Sequence, residues 1–191
     1  MELRETTLPG IIVLVPTVHG DDRGFFHESY RADALEGTAL AQVRFPQENH
    51  SRSARGVLRG MHFQVGGGLG KLVRCARGAI FDVVIDVRPD SPTRGQWEGF
   101  ELDDRNLHQL WVPVGFAHGF YTVSEVADVL YKQTGYYTPE LERAIAWNDP
   151  DVGVQWPPGV EPQLSAKDAA APRLSDAAHE IYFTGLTPSA T

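Results

Sequence analysis

The chain has 191 residues, a formal net charge of −8 with histidines neutral, and 42% hydrophobic residues. That length suits one domain with a substantial core, and the composition is that of a globular protein. The acidic balance argues against nucleic acid as a partner. No apolar run of about 18 residues marks a membrane span, and no basic-then-apolar leader opens the sequence, so a cytoplasmic protein with no membrane partner is expected.

In chain order, Ile11–Val15 is a continuous apolar run, and Phe25–Tyr30 follows the turn Gly20-Asp21-Asp22-Arg23-Gly24. A short helix is expected near Ala32–Glu36, and a strand along Gly56–Gln64. Leu72–Ala76, Ala79–Val87, Gln96–Leu102, His108–Val112 and Ala127–Gln133 read as further strands, punctuated by Arg77-Gly78, Pro89–Pro92, Thr93–Gly95 and Pro113-x-Gly115. A second short helix is expected at Ala166–Ala170. Short strands between frequent turn signals predict an all-β sandwich or barrel with short peripheral helices. Residues 1–175 are expected to form a single domain, with 176–191 a poorly patterned tail. The Gly66–Gly70 stretch is not a phosphate loop, because Lys71 is followed by Leu72 rather than Ser or Thr. It reads as a flexible hairpin connection.

Several side chains invite a chemical reading. Arg44, Arg52, Arg55, Arg59, Lys71, Arg74 and Arg77 crowd the middle of an acidic chain, which points to a small anionic ligand, with about half of them merely solvated. Cys75, the single cysteine, lies in an apolar segment and reads as an inert buried thiol. On a regular strand Arg59 and His62 face opposite sides; a bulge at Gly60 would turn both into one cavity. A buried histidine needs a partner on its second nitrogen, and Asp82 or Asp168 can serve. Asp82 and Asp86 interrupt an apolar strand; at least one of them is expected on an outer, solvated face. Arg23, Tyr131, Lys132 and Lys167 complete the candidates.

Two strings match a known motif pair in part. Gly56 and His62 keep the spacing of the first cupin motif, but Gln64 stands where the second histidine belongs, and residues 65–70 lack the acidic ligand. Pro113, Gly115 and His118 keep the second motif. The pattern predicts a cupin-type β-barrel, or jelly roll, with no metal and no cofactor, doing its chemistry by proton transfer or not at all.

Six collinear strings extend this. GVLRGMHFQ, GKLVRCARGAIFDVVIDVR, SPTRGQWEGFELDD, QLWVPVGFAHGF, LYKQTGYYTPELERAIAWNDPD and LSAKDAAAP, spread between about Leu8 and Pro172, resemble the dTDP-4-dehydrorhamnose 3,5-epimerase family. The resemblance implies a metal-free cupin barrel, a homodimer, and a dTDP-4-keto-6-deoxyhexose substrate whose C3 and C5 protons flank a ketone. By position, His62 resembles the general base, paired with Asp168; Tyr131 resembles the acid on the other face of the sugar; and Lys71 resembles the cation near O4, with Asp82 holding Lys71 or His118 in place. Arg23, Arg59 and Lys167 match pyrophosphate contacts, Glu28, Gln47, Asn49 and Glu142 match positions near the thymidine or sugar, and Tyr137 matches an aromatic that stacks on thymine. The Arg23–Glu28 segment is expected to reach a neighbouring subunit's site. His50 is read as structural. The chain departs from the family at Gly135, where relatives carry Asp or Asn, and in the Gly66–Gly70 stretch. Alternatives sharing the barrel are a 3- or 5-monoepimerase, a 3,4-ketoisomerase, a non-catalytic dTDP-sugar-binding cupin and a metal-dependent cupin.

Overall fold

A computed structural model describes residues 1–38 and 40–184. In chain order its strands are β1 (Glu2–Glu5), β2 (Ile12–Val15), β3 (Val18–Asp21), β4 (Gly24–His27), β5 (Gln47–Ala54), β6 (Leu58–Gln64), β7 (Lys71–Arg77), β8 (Ala79–Asp86), β9 (Trp97–Asp103), β10 (Gln109–Val112), β11 (Phe116–Thr122), β12 (Val126–Gln133) and β13 (Glu142–Ala144). Two one-turn helices follow, α1 (Ala166–Ala169) and α2 (Leu174–Ala177). The expected helix near residues 32–36 is a 3₁₀ turn at Asp33–Leu35.

The strands form a six-stranded sheet in the order β1-β2-β10-β7-β12-β5 and a five-stranded sheet in the order β13-β6-β11-β8-β9, while β3 and β4 make a separate hairpin. Every named pairing is antiparallel. The two large sheets face one another over a core built from Val73 and Cys75 of β7, Ile80 and Val84 of β8, Leu110 and Val112 of β10, Phe116 and Phe120 of β11, and Ala127 and Val129 of β12. This is the all-β sandwich predicted from the turn spacing.

The outer faces are also covered, which explains why the strands read as continuous apolar runs rather than clean alternations. On the five-stranded sheet, Met61, Phe63, Val83, Ile85 and Ala117 pack under Ile145, Leu174, Ala177 and Ile181. On the six-stranded sheet, Ile12, Leu14, Leu72 and Trp111 pack under Leu35 and Leu40. Each such large side chain contributes about 1.5–3 kcal/mol through its burial. The C-terminal stretch therefore packs on the sandwich up to Thr184. Ile181 is 5% exposed, and Phe183 bridges Gly66. The rest of the expected tail, 185–191, lies outside the described residues.

Two readings are corrected here. The Gly66–Gly70 stretch is not a hairpin connection: β6 and β7 belong to different sheets, and the stretch carries the chain from one layer to the other. It is pinned along its length by Gly66 N to Tyr182 O at 2.9 Å, Thr184 N to Gly66 O at 2.7 Å, and Gly70 N to Thr134 Oγ1 at 2.9 Å. Nor does either Asp82 or Asp86 face solvent, since both are 0% exposed. They share the inward face of β8 with Ile80 and Val84; Asp82 meets the distant His118, and Asp86 is held by Arg88 just beyond the strand.

Candidate active site

The bulge required at Gly60 is present. In the β6–β11 ladder His62 pairs with His118 and Arg59 with Phe120, so three steps on β6 oppose two on β11. The extra residue turns Arg59 and His62 to the same inward face. Only glycine fits this crossing: Gly60 has φ +132°, and a Cβ there would lie 2.5 Å from the Cα of Gly119. The strands touch backbone to backbone, and that contact sets the inward aim of His62.

His62 Nε2 lies 2.5 Å from Asp168 Oδ1. Asp168 comes from α1, where Ser165 caps the helix by accepting the Asp168 backbone N–H at 3.1 Å. The cap orients a single turn so that its carboxylate faces the imidazole across 106 residues of sequence. Burial pulls Asp168 upward, but the His62 ring, the Ser165 hydroxyl and the Gly60 backbone together hold its carboxyl below the usual carboxylate range. Asp82 thus takes the other histidine. His118 Nε2 lies 2.9 Å from Asp82 Oδ2, and Asp82 Oδ1 is buried with no hydrogen-bond partner among the described residues. Burial lowers the His118 pKa, and the positive fields of Lys71 and His62 add to it against the pull of Asp82.

The opposing sheet supplies the cation and the phenol. Lys71 opens β7 and donates from Nζ to the His62 carbonyl oxygen at 3.3 Å, which ties the two layers together at the site. Dense surrounding protein lowers its pKa to about 8, ahead of the opposing fields of Asp82 and Glu142. Tyr131 on β12 pairs with Val73 and Asn49 and packs against the inner core, so its ring lies on the wall facing His62. Arg59 donates from Nε to Ser53 Oγ at 2.9 Å and from Nη2 to Arg52 O at 3.4 Å, and the residue is exposed.

A second polar group borders the first. Glu142 on β13 accepts the Tyr137 hydroxyl at 2.7 Å and pairs with the Lys167 ammonium. That hydrogen bond is the main cause of a Tyr137 pKa raised to about 12. Gln47 Oε1 accepts Tyr137 N at 3.1 Å, Gln47 donates to Asn49 at 3.0 Å, and Asn49 donates to Gln133 at 3.1 Å. His62, Asp82, His118 and Glu142 thus come from the five-stranded sheet, Lys71, Tyr131, Gln47 and Asn49 from the facing six-stranded sheet, and Tyr137, Lys167 and Asp168 from segments beside them.

Arg23 and Glu28 do not join them. Arg23 sits in the β3–β4 hairpin, 90% exposed and paired to Asp21, and Glu28 lies 3.6 Å from Arg31. Sequence reasoning missed Gln133, Ser165 and the contacts of Gln64. Only Ser165 left a signal, since Ser165-x-x-Asp168 is a capping pattern. His62 and His118 each give Nε2 to a carboxylate, and no group of three or more His, Cys, Asp or Glu residues is arranged for a metal among the described residues.

The family profile for dTDP-4-dehydrorhamnose 3,5-epimerase matches residues 5–176. The chain belongs to that family. It is 53% identical over 174 residues to the dTDP-4-dehydrorhamnose 3,5-epimerase of Salmonella typhimurium, covering 91% of this chain and 95% of the relative. It is 50% identical over 177 residues to the Pseudomonas aeruginosa enzyme of the same name, covering 93% and 98%. Among solved structures, the Legionella pneumophila epimerase in complex with dTDP-4-keto-L-rhamnose superposes with a TM-score of 0.90 at 45% identity, covering 96% of this chain and 98% of that one. A 3′-monoepimerase from Streptomyces bikiniensis, in complex with dTDP-quinovose, superposes at 0.86 with 34% identity, covering 94% and 91%.

Proposed function

We propose that this family member converts dTDP-4-keto-6-deoxy-D-glucose to dTDP-4-keto-L-rhamnose by inverting C3 and C5 through proton transfer. The observation that carries this reading is the His62–Asp168 pair on one wall, with the Tyr131 wall opposite. Both carbons flank the C4 ketone, so removing either proton gives an enolate with its charge on O4. In our reading His62 takes each proton through Nδ1, while Asp168 on Nε2 fixes the ring and stabilises the imidazolium. The Lys71 ammonium faces the charge growing on O4, and such preorganised charge is often the largest catalytic contribution. Tyr131 returns a proton to the opposite face of the ring, which inverts the centre. Asp82 holds His118 and biases Lys71 toward its charged form.

Arg59 and Lys167 would contact the pyrophosphate; the planar fork of arginine suits that work. Gln47, Asn49 and Glu142 would border the nucleoside and sugar, and Tyr137 would stack on thymine. Arg23 and Glu28 lie on an exposed hairpin with Phe25 and Phe26, which are 59% and 69% exposed. An apolar hairpin of this kind favours burial against another surface, and we infer a homodimer in which it serves the neighbouring subunit's site. We infer a cytoplasmic enzyme; Cys75 is a free buried thiol, and no helix among the described residues is long and apolar enough to cross a membrane.

The test is incubation with dTDP-4-keto-6-deoxyglucose in deuterated water, read by NMR. Deuterium at both C3 and C5 supports the double epimerase. The 3′-monoepimerase with the same fold makes a single-centre reaction the second reading, and deuterium at one carbon alone would select it.

A further inference from the structure

We propose that Gln64, at the position of the missing cupin histidine, is a positioning residue that latches the 134–138 segment so that Tyr137 is presented to the nucleotide base. This rests on the dTDP-sugar reading of the site.

Gln64 ends β6, two residues after His62 and on the same inward face, and is 6% exposed. Its Oε1 accepts the Thr138 backbone N–H at 2.9 Å. The preceding amide, Tyr137 N, is taken by Gln47 Oε1 at 3.1 Å. Two consecutive backbone donors are therefore held by two glutamines, one from each sheet: Gln47 from β5 at the edge of the six-stranded layer, Gln64 from β6 in the five-stranded layer. The other end of the segment is anchored where Thr134 N donates to Gly70 O at 3.0 Å and Gly70 N to Thr134 Oγ1 at 2.9 Å. The segment thus spans the gap between the layers with both ends fixed. Between the anchors Tyr137 keeps 45% of its surface exposed, while its hydroxyl donates to Glu142 Oε2 at 2.7 Å.

The side-chain chemistry explains the replacement. A metal ligand offers an imidazole lone pair to a cation; a glutamine offers a carbonyl lone pair to a neutral N–H. At this position the second option satisfies a backbone donor that belongs to no sheet ladder. An exposed aromatic held in its binding pose before the ligand arrives spares part of the ordering cost of association. Among the described residues Gln64 makes no hydrogen bond to any group assigned to proton transfer, so its loss weakens base binding and leaves the chemical step alone.

Calorimetric titration of the full-length protein with dTDP, and separately with inorganic pyrophosphate, tests this. Gln64→Met keeps the length and removes the acceptor. Expected are about a tenfold weaker dTDP affinity, from the loss of one hydrogen bond, unchanged pyrophosphate affinity, and a raised KM with kcat within about twofold. In a Tyr137→Ala background the same substitution should have no further effect on dTDP. Unchanged dTDP affinity in Gln64→Met overturns the latch, as does equal weakening in both backgrounds, or a fall in kcat with KM unchanged. Hydrogen exchange on the wild-type protein needs no variant to fold: slow exchange at the Tyr137 and Thr138 amides supports the latch, and fast exchange overturns it. A wild-type protein that does not bind dTDP sinks the nucleotide reading and the latch with it.

Discussion

Asp82 and Asp86 lie four residues apart on the inward face of β8, both fully buried, and they live in opposite ways. Asp86 is saturated: Arg88 reaches it at 2.6 and 2.9 Å, and Ser91 and Thr93 at 2.6 Å each. The Arg88 guanidinium also lies 4.7 Å from the centre of the Phe116 ring. These partners are all local, within seven residues. They close one end of the sandwich, and they hold the Asp86 carboxyl below its usual range although burial pulls it the other way. Asp82 has one distant partner, His118, and one oxygen with none among the described residues. The same residue type serves as a structural clamp where its hydrogen bonds are complete and as an electrostatic element of a site where they are not. Incomplete pairing leaves its field free to act on Lys71.

The sharpest way to break that contrast lies at the site end. His62→Ala or Tyr131→Phe should each reduce turnover by about 10²–10⁴-fold, with the thermal midpoint close to wild type; steady-state kinetics beside thermal unfolding checks both. If either variant unfolds instead, the site end is structural after all. At the closed end, Asp86→Asn should cost about 3–5 kcal/mol in a denaturant titration, because it leaves Arg88 without its buried counter-charge. Activity per folded molecule should be unchanged.

The matching substitution Asp82→Asn removes a buried charge whose pairing is incomplete. Stability should stay within about 1 kcal/mol or improve, whereas turnover should follow the protonated fraction of Lys71, falling about twofold at neutral pH for the first unit by which its pKa drops from about 8 and approaching tenfold for each unit beyond that. The pH profile refines this. Turnover should decline above about pH 8 as Lys71 loses its proton. The stability linkage has the opposite sign: the folded pKa lies below the ordinary 10.5, so the unfolded chain binds more protons between about 8 and 10.5, and this group adds stability as pH rises through that window. Loss of activity there without loss of fold identifies Lys71 titration; in Asp82→Asn the decline should begin at lower pH. The smallest expected effect is that of a chelator: dialysis against EDTA should leave turnover unchanged, and chelator-sensitive turnover would revive the metal-dependent reading.

The strands were legible wherever burial on both faces left an unbroken apolar run, as in Ala79–Asp86, or where alternation met turn residues, as in Val126–Gln133. β5 was not, because QENHSRSA carries small and polar residues on both of its faces. β11 was hidden between motif residues, and β13 is three residues long. The order of strands in each sheet has no local signature, which is why the Gly66–Gly70 crossover read as a hairpin. At the site, His62, Lys71, Tyr131 and Asp168 were identified by resemblance. The Gly60 bulge followed from side-chain parity together with the reading that Arg59 and His62 share one cavity.

By itself the sequence determined the all-β class, the tolerance of Gly60 for a bulge and the residue types available for proton transfer, because these depend on backbone sterics and short-range periodicity. Tertiary structure alone decided which carboxylate serves which histidine and that the Gln64 amide holds a backbone N–H 74 residues downstream. Those outcomes depend on which strands become neighbours when two sheets close over a shared core. Such neighbours are selected by the free energy of the whole packed sandwich and not by any stretch of chain.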